Sequence, residues 1–549
     1  MNIILKSSTE SLILLAAILG IVVSFIGISF TLPRALGIPI NYEWVRRDPF
    51  GLYFMCFMFL IITLTNFIVS RNASISLSQY LYLILLMSYQ ASLAAIAFAR
   101  YPYRDVLLHG ATVKYLLNEG SIPKETAEAS WPFSYYLHAL LSLFVNLDIE
   151  ASNTLLFLTL SILTIITTVL MAKVILTMLR NSNFEFLLML SLSLYYIQFN
   201  HYNSFLHYCR AQLASFLLLI IYYLILNVAL LHRHVVRLII TIFILVVALF
   251  YTHPFYSVQF LGSLLFASLA TSISKRQQHL KGTFISVSMI SFILFFIINL
   301  IQSEFAYNII YNNIISGLKS SIWEFTSGLI QVREELPLFG VIVRTIWKGV
   351  LLLLLFSSFT YLIFNYQYLK FPDFIFIGHA LTTVTLFIIF LYIKGFTGRT
   401  ISYIGIPLVY FSVSMLLTVM RNYSRSRVLI AGSMSISLII FLLSNILVFF
   451  DPPISGRFVT SSISAALSFV FKEVTYTRIG SLQASPLHII ARFFDPEGNK
   501  VVVFQTLNQE HGLSIELVLA NIDIDIKSLK NMLGSHSLIF NNGVVYGIS

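Results

Sequence analysis

The residue pair best suited to chemistry is Asp105 with His109, in the polar stretch that follows the third apolar run of the chain. They are four residues apart, so on a helix they would share one face. A carboxylate beside an imidazole can serve as a general base and its partner. The pair can equally supply two ligands of a divalent metal ion that needs further oxygen ligands, such as Asp48. The purely structural alternative is that Asp105 caps a short surface helix and His109 points into water.

A second group of candidates consists of cations and imidazoles at the ends of apolar runs, and a guanidinium at such a boundary suits a phosphate group. The planar guanidinium donates two hydrogen bonds to an oxyanion while its stem stays in apolar surroundings. The alternative for each residue is an ordinary helix-end role, as a hydrogen-bonded His or an Arg that snorkels to the surface. The residues are His207, Arg210, His253, Lys394 and Arg399.

The composition indicates what holds these residues in place. The chain has 549 residues, of which 58% are hydrophobic and 10% are charged, whereas soluble domains carry about 25% charged residues. Apolar runs of roughly 17 to 25 residues, enough to cross a hydrocarbon core of about 30 Å, recur over the first 450 positions. We therefore predict an all-α polytopic membrane helix bundle of about thirteen transmembrane helices, near 11–31, 51–69, 79–99, 150–172, 184–199, 212–231, 236–251, 254–271, 284–302, 342–364, 374–393, 403–420 and 428–450.

The distribution of charge predicts the orientation. Lys and Arg number 34 against 23 Asp and Glu, but they are dispersed between apolar runs, which excludes a nucleic-acid partner. Basic residues in alternate short loops put the N-terminus in the cytoplasm of a multi-pass protein of the cell (plasma) membrane. The candidate residues then converge on the outer face, where they would line a cavity. The basic loops hold Arg71, Lys173, Arg180, Arg233, Arg237, Lys275, Arg276, Lys281, Lys370, Arg421, Arg425 and Arg427.

One segment does not fit the alternation. Tyr135 to Leu147 is apolar but short, so we interpret it as an interfacial or half-depth helix. If it did span the membrane, every later loop would change side.

The domain organisation follows from the same pattern. Residues 1–450 form the transmembrane helical domain, with outer loops 100–134 and 303–341, the second of which could lie on the membrane as a lid. Residues 451–549 are predicted to be a small soluble extracytoplasmic α/β or mostly β domain, with a strand at Lys500–Gln505. The run Leu538–Ile548 around Asn541-Asn542-Gly543 predicts a terminal hairpin. Two cysteines provide no disulfide framework.

The chain resembles the GT-C superfamily of membrane glycosyltransferases along most of its length. Members carry an acidic residue in a large first outer loop, then an amphipathic helix, a Gly and a Tyr-Pro-Pro-type start of the next apolar segment. Asp105, the helix to Asn118, Gly120 and Trp131-Pro132 occupy those places. The usual acidic pair is here a single Asp with His109, and the double Pro is single.

Later segments continue the resemblance. A polar, Arg-containing outer loop of the superfamily is matched by His207 and Arg210, and a late Arg-Tyr motif followed by Pro is matched by Arg399, Tyr403 and Pro407. A soluble domain after the last span is common among members. The closing hairpin with Tyr546 is similar to archaeal members.

The resemblance implies transfer of a hexose or pentose from a polyprenyl-phosphate donor in the cell envelope to a glycan, lipid or protein acceptor. Membrane lipids, the lipid-linked sugar donor and that acceptor would be the partners. Asp105 would be the general base, with His109 orienting it or joining a divalent metal ion. Arg399 would stabilise the departing phosphate. The other residues implied in binding substrate or lipid phosphate are Arg210, Lys394, His207 and His253.

Three alternatives stay open from the residues. A transporter or flippase for lipid-linked saccharides would place ionisable groups near the bilayer midplane and often shows paired broken helices, whereas the apolar runs here are almost free of charge. A polymerase of lipid-linked saccharides would share the substrates and the outer loop. A non-catalytic membrane assembly protein would hold its outer domain over a partner complex.

Overall fold

The structure is a computed structural model that describes helical segments between residues 104 and 422 and short strands between 480 and 548. The described helical ranges are 104–122, 131–180, 209–231, 235–273, 278–302, 338–391 and 397–422, with isolated positions 187, 190, 191 and 194. The predicted spans 11–31, 51–69, 79–99 and 428–450 lie outside the described residues, as does most of 184–199. The total of about thirteen spans therefore stays a prediction.

Ten helices are described in these ranges. A short 3-10 turn at Tyr366–Tyr368 joins α8 to α9. The helices are α1 Arg104–Glu119, α2 Phe133–Val145, α3 Ile149–Met178, α4 Arg210–Leu231, α5 Val235–Phe250, α6 Pro254–Ile273, α7 Gln278–Gln302, α8 Leu338–Asn365, α9 Phe371–Leu391 and α10 Thr397–Asn422.

The described part is that of a helical membrane protein. Leaving out the undescribed 184–199, eight predicted spans between 150–172 and 403–420 coincide with the helices α3 to α10. The predicted and observed ends of each differ by six residues at most. By length and composition, four described segments can cross a membrane: Ala151–Met178, Arg210–Val228, Pro254–Ser272 and Phe371–Ile388. Large apolar side chains on α7 and α8 are exposed, as lipid-facing residues are, including Phe292, Phe296, Phe356 and Phe359.

The helices α6 and α9 pack closely because glycine lies at their contact. A Cβ on Gly378 would come within 2.0 Å of the Ser263 carbonyl oxygen, so the two backbones approach as only glycine allows. Gly262 faces the Thr382 side chain in the same way. Small residues at contacts of this kind let membrane helices come close enough for dispersion and hydrogen bonding to hold them together.

One end of the bundle is fixed by the buried carboxylate of Asp373. It accepts hydrogen bonds from the hydroxyls of Tyr410 at 2.8 Å and Tyr361 at 3.3 Å, and from the Lys370 backbone N–H at the start of α9. The Lys370 ammonium donates to the Met178 carbonyl at the end of α3, at 3.2 Å. These contacts join α3, α8, α9 and α10 at what we call the Asp373 end.

The opposite end, which we call the Arg210 end, holds the starts of α4, α6 and α10. Near the start of α4, the Gln212 amide donates to Ser161 in the N-terminal half of α3, at 3.2 Å. The Tyr256 ring on α6 lies 5.0 Å, centre to centre, from the Tyr403 ring on α10. Since helices carry partial positive charge at their N-termini, several such ends converge here.

The short helix α2 begins and ends at the Arg210 end. Its Phe133 N–H donates to the carbonyl of Tyr251, which follows α5, at 3.2 Å. Its C-terminus closes through Asn146 in the left-handed conformation, φ 52°, directly before α3. Thirteen residues give a length of about 20 Å, less than a hydrocarbon core of about 30 Å. The segment therefore does not cross the bundle, in agreement with the interfacial helix predicted at 135–147.

Beyond the helices, five strands form a sheet in the order β1-β3-β2-β5-β4. They are β1 Gly480–Ser481, β2 Val503–Asn508, β3 Gly512–Leu519, β4 Leu538–Asn541 and β5 Val545–Ile548. β2 pairs antiparallel with β3 and β5, and β4 pairs antiparallel with β5. β4 and β5 lie where the terminal hairpin is predicted, and β2 overlaps the strand expected at 500–505. The extracytoplasmic placement of this domain stays a prediction.

Candidate functional site

The helix α1 carries the proposed base and imidazole. Asp105 and His109 both lie on it, four residues apart as the sequence predicts. The His109 Nδ1 lies 2.8 Å from the Tyr135 hydroxyl of α2, and the two rings are 5.5 Å apart, centre to centre. This contact orients the imidazole ring, because a hydrogen bond at one ring nitrogen influences which nitrogen carries the proton. Asp105 is placed by its helix, and its side chain is outside the described residues.

A small apolar cluster anchors α1 to α2. Val113, Leu116 and Ile122 pack with Tyr135 and Ala139 of α2, and all five are buried. Gly120 follows the last residue of α1 at φ +72°, and its N–H donates to the Leu116 carbonyl at 2.9 Å. A residue in the left-handed region is the usual end of a helix and favours glycine. Glycine at position 120 is therefore explained by the structure, because it ends α1 and lets the chain turn towards α2.

Arg210 begins α4 beside Trp131, which lies just before α2. The guanidinium carbon is 6.0 Å from the centre of the Trp131 ring, a cation–π arrangement. Trp131 is 8% exposed. Among the described residues, the Nη1 of Arg210 and the indole Nε1 of Trp131 are both buried and have no hydrogen-bond partner.

His253 caps α6. It is 5% exposed, and its carbonyl accepts the Ser257 N–H at 3.2 Å. Its Nδ1 accepts the Phe255 N–H at 3.3 Å, and its ring packs against Phe255 and Tyr256. This geometry is the ordinary helix-end role considered for this residue. Its part in phosphate binding stays a prediction.

The N-terminal end of α10 reaches the same end of the bundle. Arg399 is in the first turn of α10, one turn before Tyr403, whose ring contacts Tyr256. The Arg399 side chain is outside the described residues, so only the position of its helical turn is established. Pro407 lies inside α10, where the sequence motif places it.

The described site residues therefore gather at one end of the bundle. The Arg210 end holds His109, Arg210 and His253, together with the helical turns of Asp105 and Arg399. Asp48, His207 and Lys394 lie outside the described residues. Within the described ranges no three His, Cys, Asp or Glu residues lie together as a metal-ligand set. The divalent metal ion considered for Asp105, His109 and Asp48 thus stays a prediction.

The roles of Trp131 and Tyr135 could not be recognised from the sequence alone. Trp131 entered only as part of a motif, although an indole flanked by Pro at the start of an apolar helix is a typical interfacial residue with a donor to satisfy. Tyr135 had no signal in the sequence, because its partner His109 is 26 residues away.

A polar network inside the bundle was also missed. The Nε2 of His379 donates to the Tyr403 carbonyl at 2.9 Å, and its Nδ1 lies 2.8 Å from the Tyr222 hydroxyl. The Gln259 amide donates to the His379 carbonyl at 2.9 Å. These contacts connect α4, α6, α9 and α10, and His379 is completely buried.

Comparison with solved structures shows a similarity, whereas comparison of the sequence does not. No protein-family model matches the sequence, and no curated protein is significantly similar to it. The chain is similar to the crystal structure of the Archaeoglobus fulgidus oligosaccharyltransferase tethered with an acceptor peptide containing the NVT sequon via a disulfide bond, with 10% sequence identity and a TM-score of 0.42. The match covers 72% of this chain and 57% of that chain, so this chain spans little more than half the length of that protein.

Proposed function

We propose that the protein is a membrane glycosyltransferase, which moves a sugar from a polyprenyl-phosphate-linked donor to a glycan, lipid or protein acceptor at the outer face. The proposal is supported by one observation: His109, Arg210 and the first turn of α10 belong to elements that lie at the same end of the bundle. These elements are separated by nearly 300 residues of sequence. Their residue types are an acid–imidazole pair and two guanidinium groups, which is what transfer from a phosphate requires.

In this mechanism Asp105 accepts the proton of the acceptor hydroxyl as its oxygen bonds to the anomeric carbon of the sugar. His109, held by Tyr135, orients the carboxylate or the acceptor. The bond between the anomeric carbon and the phosphate oxygen breaks, and the phosphate leaves with the negative charge. Arg210 and Arg399 stabilise that charge, as preorganised donors do where charge develops.

The helix N-termini at this end favour the same assignment. The helices α4, α6 and α10 all begin at the Arg210 end, where first-turn N–H groups point away from the helix, although the Phe255 N–H of α6 already donates to His253. Such ends attract phosphate groups through the partial positive charge of the helix. Lys394 is three residues before α10 in the sequence and would add a further cation, as would His207, three residues before α4. Both are outside the described residues.

The transporter alternative depends on ionisable groups within the bundle, and His379 is such a group. Both of its ring nitrogens are used by neighbouring helices, through Tyr222 and the Tyr403 carbonyl. Its side chain is completely buried. These contacts favour a role in joining the helices over one in lining a substrate path. No observation favours the polymerase or the assembly protein over the transferase.

The test is the Asp105→Asn protein in vesicles supplied with polyprenyl-phosphate hexoses and an extract of acceptor glycans. We expect transfer to fall by about 10²- to 10⁴-fold, the usual contribution of a general base. Glu119→Gln, an exposed position at the far end of α1, is the matched control and is expected to keep full activity. Full turnover by Asp105→Asn would remove this residue from the mechanism.

A further inference from the structure

Two buried N–H donors at the Arg210 end have no partner among the described residues. They are the indole Nε1 of Trp131 and the Nη1 of Arg210. Trp131 is 8% exposed, so its donor is removed from bulk water. Burying a hydrogen-bonding group without a partner costs roughly 1 to 3 kcal/mol, and more for a charged one. Two such groups beside each other indicate a place where something else accepts both hydrogen bonds.

The two groups are neighbours at this end of the bundle. The guanidinium carbon of Arg210 lies 6.0 Å from the centre of the Trp131 ring. Because a phosphate group carries several oxygens, it can accept hydrogen bonds from two neighbouring donors at once. The backbone also holds both residues, since Arg210 is the first residue of α4 and Pro132 fixes the chain directly after Trp131.

The chemistry of the donors selects the ligand. Indole and guanidinium groups donate hydrogen bonds and do not accept them, so the ligand must be an acceptor. One donor, the guanidinium of Arg210, is a permanent cation. It also stands at the N-terminus of α4, and both properties favour a ligand with negative charge. A phosphate group has more acceptor oxygens than a carboxylate and extends in three dimensions, so it can satisfy an Arg and a non-coplanar indole together.

We propose that Trp131 and Arg210 form a binding site for one phosphate group, with the indole N–H and the guanidinium each donating to its oxygens. We call it the Trp131–Arg210 site. Naming the polyprenyl phosphate of the sugar donor as its occupant rests on the proposed function. Binding of a phosphate group as such does not, because it follows from the two donors alone. Trp131 then has a positive role in substrate binding, in addition to packing against Arg210.

The experiment uses the full-length protein in a phosphate-free detergent such as dodecyl maltoside. Three probes separate the sources of phosphate: inorganic phosphate, farnesyl phosphate as a short polyprenyl phosphate, and phosphatidylglycerol as a lipid headgroup. Binding is measured by calorimetric titration and by the rise in unfolding temperature. Preference for farnesyl phosphate over both other probes supports the donor as the source, and equal binding of phosphatidylglycerol supports a headgroup.

The decisive variant is Trp131→Phe, which keeps an aromatic ring under the guanidinium and removes only the N–H donor. We expect its Kd for the preferred probe to rise about tenfold, the value of one hydrogen bond to a charged group. Arg210→Gln is expected to raise Kd by tenfold or more. The matched controls are Trp347→Phe on α8 and Arg237→Gln at the other end of the bundle, and both should bind as the wild type does.

The unfolding temperature without a probe shows whether a variant is folded. If Trp131→Phe does not fold, Arg210→Lys replaces it, because a lysine keeps the charge and loses the planar donor pair. Wild-type affinity in both Trp131→Phe and Arg210→Gln would overturn the proposal and leave a packing contact. Failure of all three probes to bind the wild type would overturn it as well.

The outcome is separable from that of the proposed function. If the variants bind normally while Asp105→Asn abolishes transfer, the Trp131–Arg210 site is wrong and the transferase assignment stands. If the variants lose binding while Asp105→Asn keeps full turnover, the phosphate site stands and the transferase assignment falls.

Discussion

The Tyr135 hydroxyl lies 2.8 Å from the Nδ1 of His109 and so connects the first turn of α2 to the middle of α1. The contact joins the helix that carries the proposed base to a helix that is anchored to the bundle. Because this contact helps to orient the His109 ring, the proposed acid–imidazole pair depends on a residue that takes no part in the chemistry.

The first prediction concerns this contact. In Tyr135→Phe the ring still packs with Val113 and Leu116, but the hydrogen bond to His109 is lost. We expect turnover to fall about tenfold and stability to fall by about 1 kcal/mol, the net value of a typical hydrogen bond. The transfer assay and thermal unfolding measure the two effects. Tyr136→Phe, on a half-exposed neighbour, is the control. A loss of stability with unchanged turnover would show that the contact only holds α1 in place.

The second prediction concerns orientation. If the Arg210 end faces outward, Ser121→Cys after α1 should react with a membrane-impermeant maleimide in intact cells. Arg180→Cys, after the end of α3 at the opposite end, should react only after permeabilisation. Both positions are exposed, so reagent access depends on the side of the membrane. The background variant replaces Cys56 and Cys209 by Ser. The reverse labelling pattern would place the proposed site in the cytoplasm and contradict transfer at the outer face.

The third prediction concerns the crossing of α6 and α9. In Gly378→Ala the new Cβ would meet the backbone carbonyl of Ser263 at 2.0 Å, so the two helices must separate. In Gly262→Ala the new Cβ would meet the side chain of Thr382, which can move more easily than backbone. We expect both to destabilise, with Gly378→Ala costing more, in the range of about 1 to 3 kcal/mol for overpacking. Unfolding temperatures in detergent test the order, and equal values would contradict it.

The fourth prediction is a pH dependence at α2. The Nε2 of His138 donates to the Ile149 carbonyl at 3.1 Å and lies 2.8 Å from the Ser152 hydroxyl, which donates to the same carbonyl. Burial lowers the pKa of His138 from 6.5 to about 4, against a smaller opposing effect of the hydrogen bond to Ile149. The unfolded state therefore binds more protons between those two pH values, so stability should fall as the pH falls below about 6.5 and should stop falling near pH 4.

The size of this loss is at most about 3.5 kcal/mol, since one pKa unit corresponds to about 1.4 kcal/mol. His138→Asn keeps a hydrogen-bond donor but does not titrate in this range. The difference in unfolding temperature between wild type and His138→Asn should therefore shrink as the pH falls from 7 to 4.5. A constant difference would show that His138 does not change its protonation on unfolding.

The limits of sequence reasoning are clear from particular residues. The helix α1 was expected from the resemblance, which places a helix to Asn118 after Asp105, and Gly120 then marks its end. Most of the described spans were predictable because an apolar run of about 20 residues has one stable arrangement in a bilayer. Helix ends were less predictable: α7 begins at Gln278, six residues before the predicted 284, because its polar first turns carry no apolar signal.

The interior polar contacts could not be predicted. His379 lies in an apolar run, and its partners Tyr222 and Tyr403 are on other helices, so neither spacing nor composition relates them. The partners of the Asp373 carboxylate could not be predicted either. Tyr361 lies on the preceding helix and Tyr410 on the following one. Which hydroxyl reaches which acceptor depends on how far each helix is rotated and shifted against its neighbours.

The sequence by itself determined that this is a helical membrane protein, where most of the described helices lie, and which polar residues stand at their ends. Those properties depend on the free energy of transferring apolar side chains out of water, and that free energy is a sum over the residues of each segment. Only the tertiary structure decided that Arg210 lies over Trp131, that Tyr135 holds His109, and that α2 returns to the end where it began. Such contacts depend on the relative placement of whole helices, which is fixed by close packing at points such as Gly378 and which no local pattern contains.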